Sequence, residues 1–219
     1  MIRDLIFNII SFLKGKSKLT TNRINENVCA IRWGYVNFFV YHKNETYICI
    51  DTGFNRKIIK REFNVPRIDP FVIKYVFLTH SDYDHIGGIE VFKNAEVYMS
   101  NKELEMIQKG KIRPFSYTTR SKQLSSIKTI KDERILYFED IKIECILTPG
   151  HTDGSMSYLI DDKFLFAGDT CRIKNGHILP LQKYINMNTE DQINSIRKLK
   201  EYKTIEMTFV GHSGFKYGI

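Results

Sequence analysis

No stretch of this sequence approaches the roughly 18 consecutive apolar residues that a membrane-spanning helix needs. Its four cysteines, Cys29, Cys49, Cys145 and Cys171, lie far apart. They form no Cys-x-x-Cys pair and no dense framework, which argues against a disulfide-stapled scaffold and for a reducing, cytoplasmic compartment. Three of them sit in apolar strand-like runs, where a thiol packs as a small hydrophobe. There is no internal repeat and no low-complexity segment. The apolar and charged fractions, 42% and 26%, are those of an ordinary globular protein, so wholesale disorder is excluded. The formal charge of +8 invites an anionic partner. The lysines are dispersed, however, and runs of Lys/Arg with interleaved aromatics are missing, which argues against nucleic acid. The one local concentration, within 109–131 (Lys109, Lys111, Arg113, Arg120, Lys122, Lys128, Lys131), reads as a solvated excursion.

What is present begins with residues 1–13, where Ile2, Leu5, Ile6, Ile9, Ile10 and Leu13 fall on one helical face. Asn8 and Ser11 interrupt the apolar run and no small-residue cleavage site follows, so the segment does not read as a signal peptide. A basic linker comes next. The sequence therefore divides into a helix and linker over 1–22 and one domain over 23–219. The helix is expected to pack on that domain or on a second copy of the chain. Peripheral membrane contact, with the linker lysines at the headgroups, is the other reading. From about residue 27, VCAIRW, YVNFFVY and TYICI read as strands. A helix around 56–63, the strand YVFLT, a helix opening at Gly87-Gly88 and another near 101–108 follow. Strands are expected near 134–138, 141–148, 156–160, 163–167 and 206–210, and a helix over 189–201 capped by Asn188 or Thr189. Strands and helices mix throughout, so the fold class is α/β or α+β.

Chemistry collects where strands end. TYICI runs into Asp51-Thr52-Gly53 and YVFLT into His80. IECILT runs into Pro149-Gly150-His151-Thr152, KFLFA into Gly168-Asp169, and MTFV into Gly211-His212. The stretch His80-Ser81-Asp82-Tyr83-Asp84-His85 adds two histidines and two aspartates within six residues. One such tip is a common turn; five beside this cluster are not. Bringing Asp82, Asp84 and Asp169 together without a cation costs several kcal/mol of repulsion and desolvation. Imidazoles and carboxylates together suit zinc, and also iron or manganese. His80 and Asp82 can point to one side of an extended loop, and Asp84 and His85 can serve a second position at the following turn.

These motifs, in this order, resemble the metallo-β-lactamase-fold hydrolase superfamily from about residue 27 to the end. The resemblance implies a four-layer αββα sandwich with a dinuclear metal site at the shared sheet edge. It implies His80 and His151 on the first metal, Asp84, His85 and His212 on the second, and Asp169 bridging, with Asp51 orienting a ligand from behind. It also implies a metallohydrolase that attacks an ester, thioester, phosphodiester or lactone, with Asp84 and Asp169 as catalytic residues.

One position departs. The usual pattern is His-x-His-x-Asp-His, and here Asp82 replaces the second histidine. Either Asp82 is a ligand of the first metal or that site is weakened. Two divalent ions, Zn2+ first, are expected, and an oxygen donor brings Fe or Mn into consideration. The flavodiiron proteins resemble this chain and carry a glutamate there, which makes a di-iron redox protein with a separate electron donor the alternative. A non-catalytic binding protein is a third. Lactone-opening relatives place a tyrosine where this chain has Arg172, which lowers the lactonase reading. Arg172, His177 and Tyr184 are the candidates for contact with a small, anionic substrate.

Overall fold

The computed structural model describes residues 19–54, 56–110 and 126–219. The helix expected over 1–13, and residues 111–125 of the basic stretch, lie outside the described residues. The first sheet runs β1 (Asn22–Arg23), β2 (Val28–Trp33), β3 (Val36–Lys43), β4 (Thr46–Ile50), β5 (Ile73–Phe77), β6 (Glu96–Ser100), β7 (Lys128–Ile130), each beside the next. The second comprises β8 (Arg134–Phe138), β9 (Ile141–Leu147), β10 (Met156–Ile160), β11 (Phe164–Phe166), β14 (Met207–Val210) and β15 (Gly214–Tyr217), adjacent in that order. Between β11 and β14 the chain makes a separate hairpin, β12 (Arg172–Lys174) and β13 (His177–Leu179). Asn175 and Gly176, both at positive φ, turn it, as an Asn-Gly pair does in a two-residue hairpin loop.

Period-two alternation builds the layers. On β3, Phe39 and Tyr41 face the other sheet and meet Phe166, Phe209 and Tyr158 in the central core. Phe38 and Val40 face the opposite way, onto Ile59 of α1 (Arg56–Glu62), Phe63 and Leu78. On the second sheet, Ile143 and Cys145 point inward while Ile146, Leu159 and Leu165 pack against Ile196 and Leu199 of α4 (Thr189–Leu199). Helix, sheet, sheet, helix is the expected αββα order. The α4 start is capped by Asn188, whose Oδ1 accepts from the amides of Glu190 and Asp191.

Strand direction decides where the loops gather. β4 and β5 are parallel. In the second sheet β9 is antiparallel to β10, β10 to β11, and β11 is parallel to β14, so β9, β11 and β14 all run the same way. The five tips flagged in the sequence are the C-terminal ends of these five strands. The expected helix at Gly87-Gly88 is not there. A four-residue turn, α2 (Tyr83–Ile86), closes at Gly87, and a 3-10 turn follows over Ile89–Val91. Backbone bonds from Gly88 N to Gly53 O and from Thr52 N to His85 O dock this segment on the 51–53 loop instead.

Candidate metal centre

Asp51, His80, His151, Asp169 and His212 sit just past β4, β5, β9, β11 and β14, and α2, which opens at Asp82, adds Asp84 and His85. Every one of the seven expected metal ligands is at most 4% exposed. Their donor atoms form two groups. In the first, His80, His151 and Asp169 each offer an atom within 4.8 Å of the others; in the second, Asp84, His85 and His212 do. Asp82 stands with the first group: its Oδ2 is 3.2 Å from His151 Nε2 and 3.7 Å from His80 Nε2. Asp84 Oδ2 lies 3.4 Å from His212 Nε2 and 3.9 Å from His85 Nε2. Asp169 spans both groups, with Oδ2 3.4 Å from His151 Nε2 and 3.1 Å from His212 Nε2, and Oδ1 3.4 Å from His85 Nε2.

These separations fit divalent cations. Ligands about 2.0–2.2 Å from a tetrahedral ion stand about 3.3–3.6 Å from one another. His80 Nε2 is buried and makes no hydrogen bond, which is costly for a polar atom unless it serves a cation. The far side of each ring supports the same tautomer. His85 Nδ1 donates to Asp51 Oδ2 at 2.7 Å and His212 Nδ1 to the Tyr35 carbonyl at 3.1 Å. His151 Nδ1 faces Asn186 Oδ1 at 3.4 Å, and His80 Nδ1 faces Thr79 Oγ1 at 2.9 Å. With the proton on Nδ1, all four Nε2 lone pairs point inward. Burial alone would push the His85 imidazole down, but Asp169, Asp51 and Asp84 around it hold it well above its usual value. Positive charge belongs at this spot, and a cation supplies it without a proton.

Asp51 anchors the back of the site. Its Oδ1 accepts from Thr79 N at 2.8 Å, and its Oδ2 accepts from Thr79 Oγ1 at 2.8 Å as well as from His85. The three expected substrate residues stand on the segment after Asp169, which Ile173 N ties to the His212 loop through Ser213 Oγ at 2.7 Å. Arg172 Nε donates to Pro180 O across the β12–β13 hairpin. His177 is exposed at the hairpin turn, and Tyr184 is exposed on a 3-10 turn over Lys183–Ile185. None of the three bonds to the seven. Cys171 is a packed thiol among Ile and Leu side chains, pushed up to about 12 by burial and then by Asp169.

Sequence reading passed over four residues that shape the site. Tyr35 stacks on the His212 ring at 5.6 Å. Gln192 of α4 donates to Asp169 O at 3.0 Å and accepts from Asn186, which faces His151. Glu103, on α3 (Asn101–Gln108), bonds to both Ser81 and Thr152. Tyr35 and Asn186 had a local signal, in the residue beside Gly34 and in the loop before α4; Gln192 and Glu103 read as ordinary helix polar residues.

The family model of the metallo-beta-lactamase superfamily matches residues 31–212. A probable metallo-hydrolase of Methanocaldococcus jannaschii is 28% identical over 172 residues, 78% of this chain and 72% of that protein. PksB of Bacillus subtilis, a probable polyketide biosynthesis zinc-dependent hydrolase, is 32% identical over 145 residues, 64% of this chain and 57% of that protein, so the chain spans little more than half of it. Among solved structures, a Cronobacter sakazakii metallo-beta-lactamase superposes with a TM-score of 0.70 at 18% identity, covering 93% of this chain and 81% of its own, which shows the shared fold. By sequence match and by fold, this chain belongs to the metallo-beta-lactamase superfamily.

Proposed function

We propose that the chain is a metal-dependent hydrolase whose two cations are held by His80, Asp82 and His151 on one side and Asp84, His85 and His212 on the other, with Asp169 shared. The observation that carries this reading is the position of Asp169 Oδ2, 3.4 Å from one group's imidazole and 3.1 Å from the other's. Similarity to a zinc-dependent hydrolase supports zinc as the metal. Bound there, divalent cations would polarise a substrate carbonyl or phosphoryl oxygen and make water acidic enough to attack near neutral pH.

The protein's own groups do the rest. Asp84 Oδ2 lies beside both His85 and His212, at the edge of the second group. It is placed to accept a proton from the attacking water and pass it to the leaving group. Asp51 keeps His85 in the Nδ1–H tautomer, and Tyr35 does the same for His212 through its carbonyl while its ring stacks on the imidazole. Burial of all seven residues keeps bulk water from screening these interactions. The substrate class is an ester, thioester, phosphodiester or lactone.

The test is elemental analysis of protein purified without added metal, followed by a panel of chromogenic phosphodiesters, thioesters and lactones. About two metal ions per chain and turnover on one substrate class are expected, with both lost in His80→Ala and Asp169→Ala. Full turnover after chelation would falsify the reading. Asp82, an oxygen donor where imidazole is usual, favours one competitor: iron with a visible absorption band and no hydrolysis would replace the hydrolase with a di-iron redox protein.

A further inference from the structure

Ser100-Asn101-Lys102-Glu103 has the form of a capping box, with serine at the N-cap of α3 and glutamate at its third position. Half of the box is present: Ser100 Oγ accepts from Glu103 N at 3.0 Å. The glutamate does not complete it. Its wholly buried carboxylate turns away from the helix start, and Oε1 accepts from Ser81 N at 2.7 Å and from Ser81 Oγ at 2.6 Å. Oε2 accepts from Thr152 Oγ1 at 2.7 Å. Ser81 lies between His80 and Asp82, and Thr152 follows His151. One side chain thus ties together the two loops that carry the first cation group, which meet where Asp82 Oδ2 stands 3.2 Å from His151 Nε2.

The surroundings are built for this approach. A Cβ on Gly154 would stand 2.2 Å from Glu103 N, so only glycine lets α3 press against the 151–155 turn. Ser100 Oγ donates to Gly154 O at 2.5 Å and fixes the same contact. Thr152 Oγ1 and Ser155 Oγ, 2.7 Å apart, extend the network. The partners of Glu103 are neutral hydroxyls and an amide. Burying a carboxylate costs several kcal/mol that its hydrogen bonds must offset, so this one depends on the placing of Ser81 and Thr152.

We propose that Glu103 is a positioning residue that holds His80, Asp82 and His151 at cation-binding spacing by bonding their two loops to one helix. The inference rests on the metal-dependent reading above and concerns only the first group. In the second group, His85 is oriented by Asp51 and His212 by the Tyr35 carbonyl instead.

The experiment titrates zinc into the full chain against a chromophoric chelator, resolving the two dissociation constants, with metal-free melting curves recorded in parallel. Glu103→Ala is expected to weaken one site about 10–100-fold and leave the other within about threefold. Glu103→Gln still accepts from Ser81 and donates to Thr152, so it is expected within about threefold of the wild type at both sites. Thr152→Val, which removes one of the three bonds, falls between them. Unchanged affinity in Glu103→Ala, or equal loss at both sites, overturns the inference, as does Glu103→Gln falling as far as alanine. If the alanine variant does not fold, Thr152→Val decides, and wild-type constants in it overturn the clamp. A wild-type chain that binds no zinc overturns the metal reading itself and this inference with it.

Discussion

Replacing Asp51 by asparagine separates the tautomer of His85 from the integrity of the fold. Asp51 has φ +62, a conformation that asparagine tolerates and alanine does not. Thr79 N–H is buried and needs an acceptor, so the asparagine oxygen takes the Oδ1 place, 2.8 Å from it. The amide NH2 then lies at the Oδ2 place, facing His85 Nδ1 at 2.7 Å. Two donors cannot meet there. Thr79 Oγ1 can turn and accept, but His85 must give up its Nδ1 proton and carry it on Nε2, the nitrogen aimed at the cation. Loss of such a supporting partner weakens a metal site about 10–100-fold. That corresponds to about 1.4–2.7 kcal/mol. Metal-free Asp51→Asn is expected to melt within about 2–4 °C of the wild type, a difference of about 1 kcal/mol. Asp51→Ala orphans Thr79 N–H, about 1–3 kcal/mol, and strains its own backbone by about 1–2 kcal/mol, so its Tm falls by about 4–20 °C. Zinc competition and calorimetry read the two effects apart. Wild-type zinc affinity at both sites in Asp51→Asn would refute the tautomer argument. Equal melting of the two variants would refute the backbone one.

Two further outcomes test the frame around the site. Gly150→Ala combines φ +133 with a Cβ only 2.2 Å from Gln192 N, at the junction of the His151 loop and α4. It should cost about 3 kcal/mol or more in a denaturant titration, and a loss under about 1 kcal/mol would contradict the packing described. Asp161 accepts from Tyr41 OH at 2.8 Å, Lys43 Nζ at 3.0 Å and Lys142 N at 2.9 Å. Burial alone would raise its carboxyl, but the Lys142 amide, Lys43 and Tyr41 outweigh that and hold it below the usual carboxylate range. A depressed carboxyl stabilises the fold above its unfolded pKa of about 3.9 and loses that contribution as pH falls through the folded value. Asp161→Asn, which keeps the positive φ, should therefore be about 1–3 kcal/mol less stable at pH 7, with the gap closing as the pH drops below about 4. A gap that is constant across that range would show that charge is not its source.

The clustered His and Asp residues were legible because most of them are tied to a strand end, and strand ends are written locally. An apolar β-branched run that stops at His or Asp beside glycine needs no tertiary information to be noticed. That the five tips share one edge follows from strand direction, which the sequence of TYICI or MTFV does not contain; it comes from the pairing of β4 with β5 and of β11 with β14. The misread helix at Gly87-Gly88 has the same origin. Glycine pairs suit a helix start or a docking turn equally, and the bond from Gly88 N to Gly53 O decides between them. Glu103 carries no such signal, since Ser-x-x-Glu at a helix start accounts for a glutamate without reference to anything outside its helix. Arg172 and His177 lie close to Asp169 in sequence, and nothing written locally says which way the segment that carries them turns. The Asn175-Gly176 turn folds them into a hairpin, where Arg172 binds Pro180 O and His177 meets solvent.

Asp82 changes the site more than a single exchange of histidine for aspartate suggests. With histidine there, the first cation would be offered three imidazoles and the shared Asp169, and the second two imidazoles, Asp84 and Asp169. With Asp82, the proposed reading offers each two imidazoles, one carboxylate of its own and Asp169. The donor sets become equal, and hardness no longer distinguishes the two positions. Charge changes in step: Asp51, Asp82, Asp84 and Asp169 bring four negative charges against the four of two divalent ions, where the histidine pattern leaves one positive charge over. A neutral pocket polarises water less strongly than a positive one. On the proposed reading, the chain should therefore carry a single element at both positions, in a ratio of about two per chain. A mixed pair on elemental analysis would mean that Asp82 Oδ2, for all its 3.2 Å approach to His151, does not act as the fourth donor.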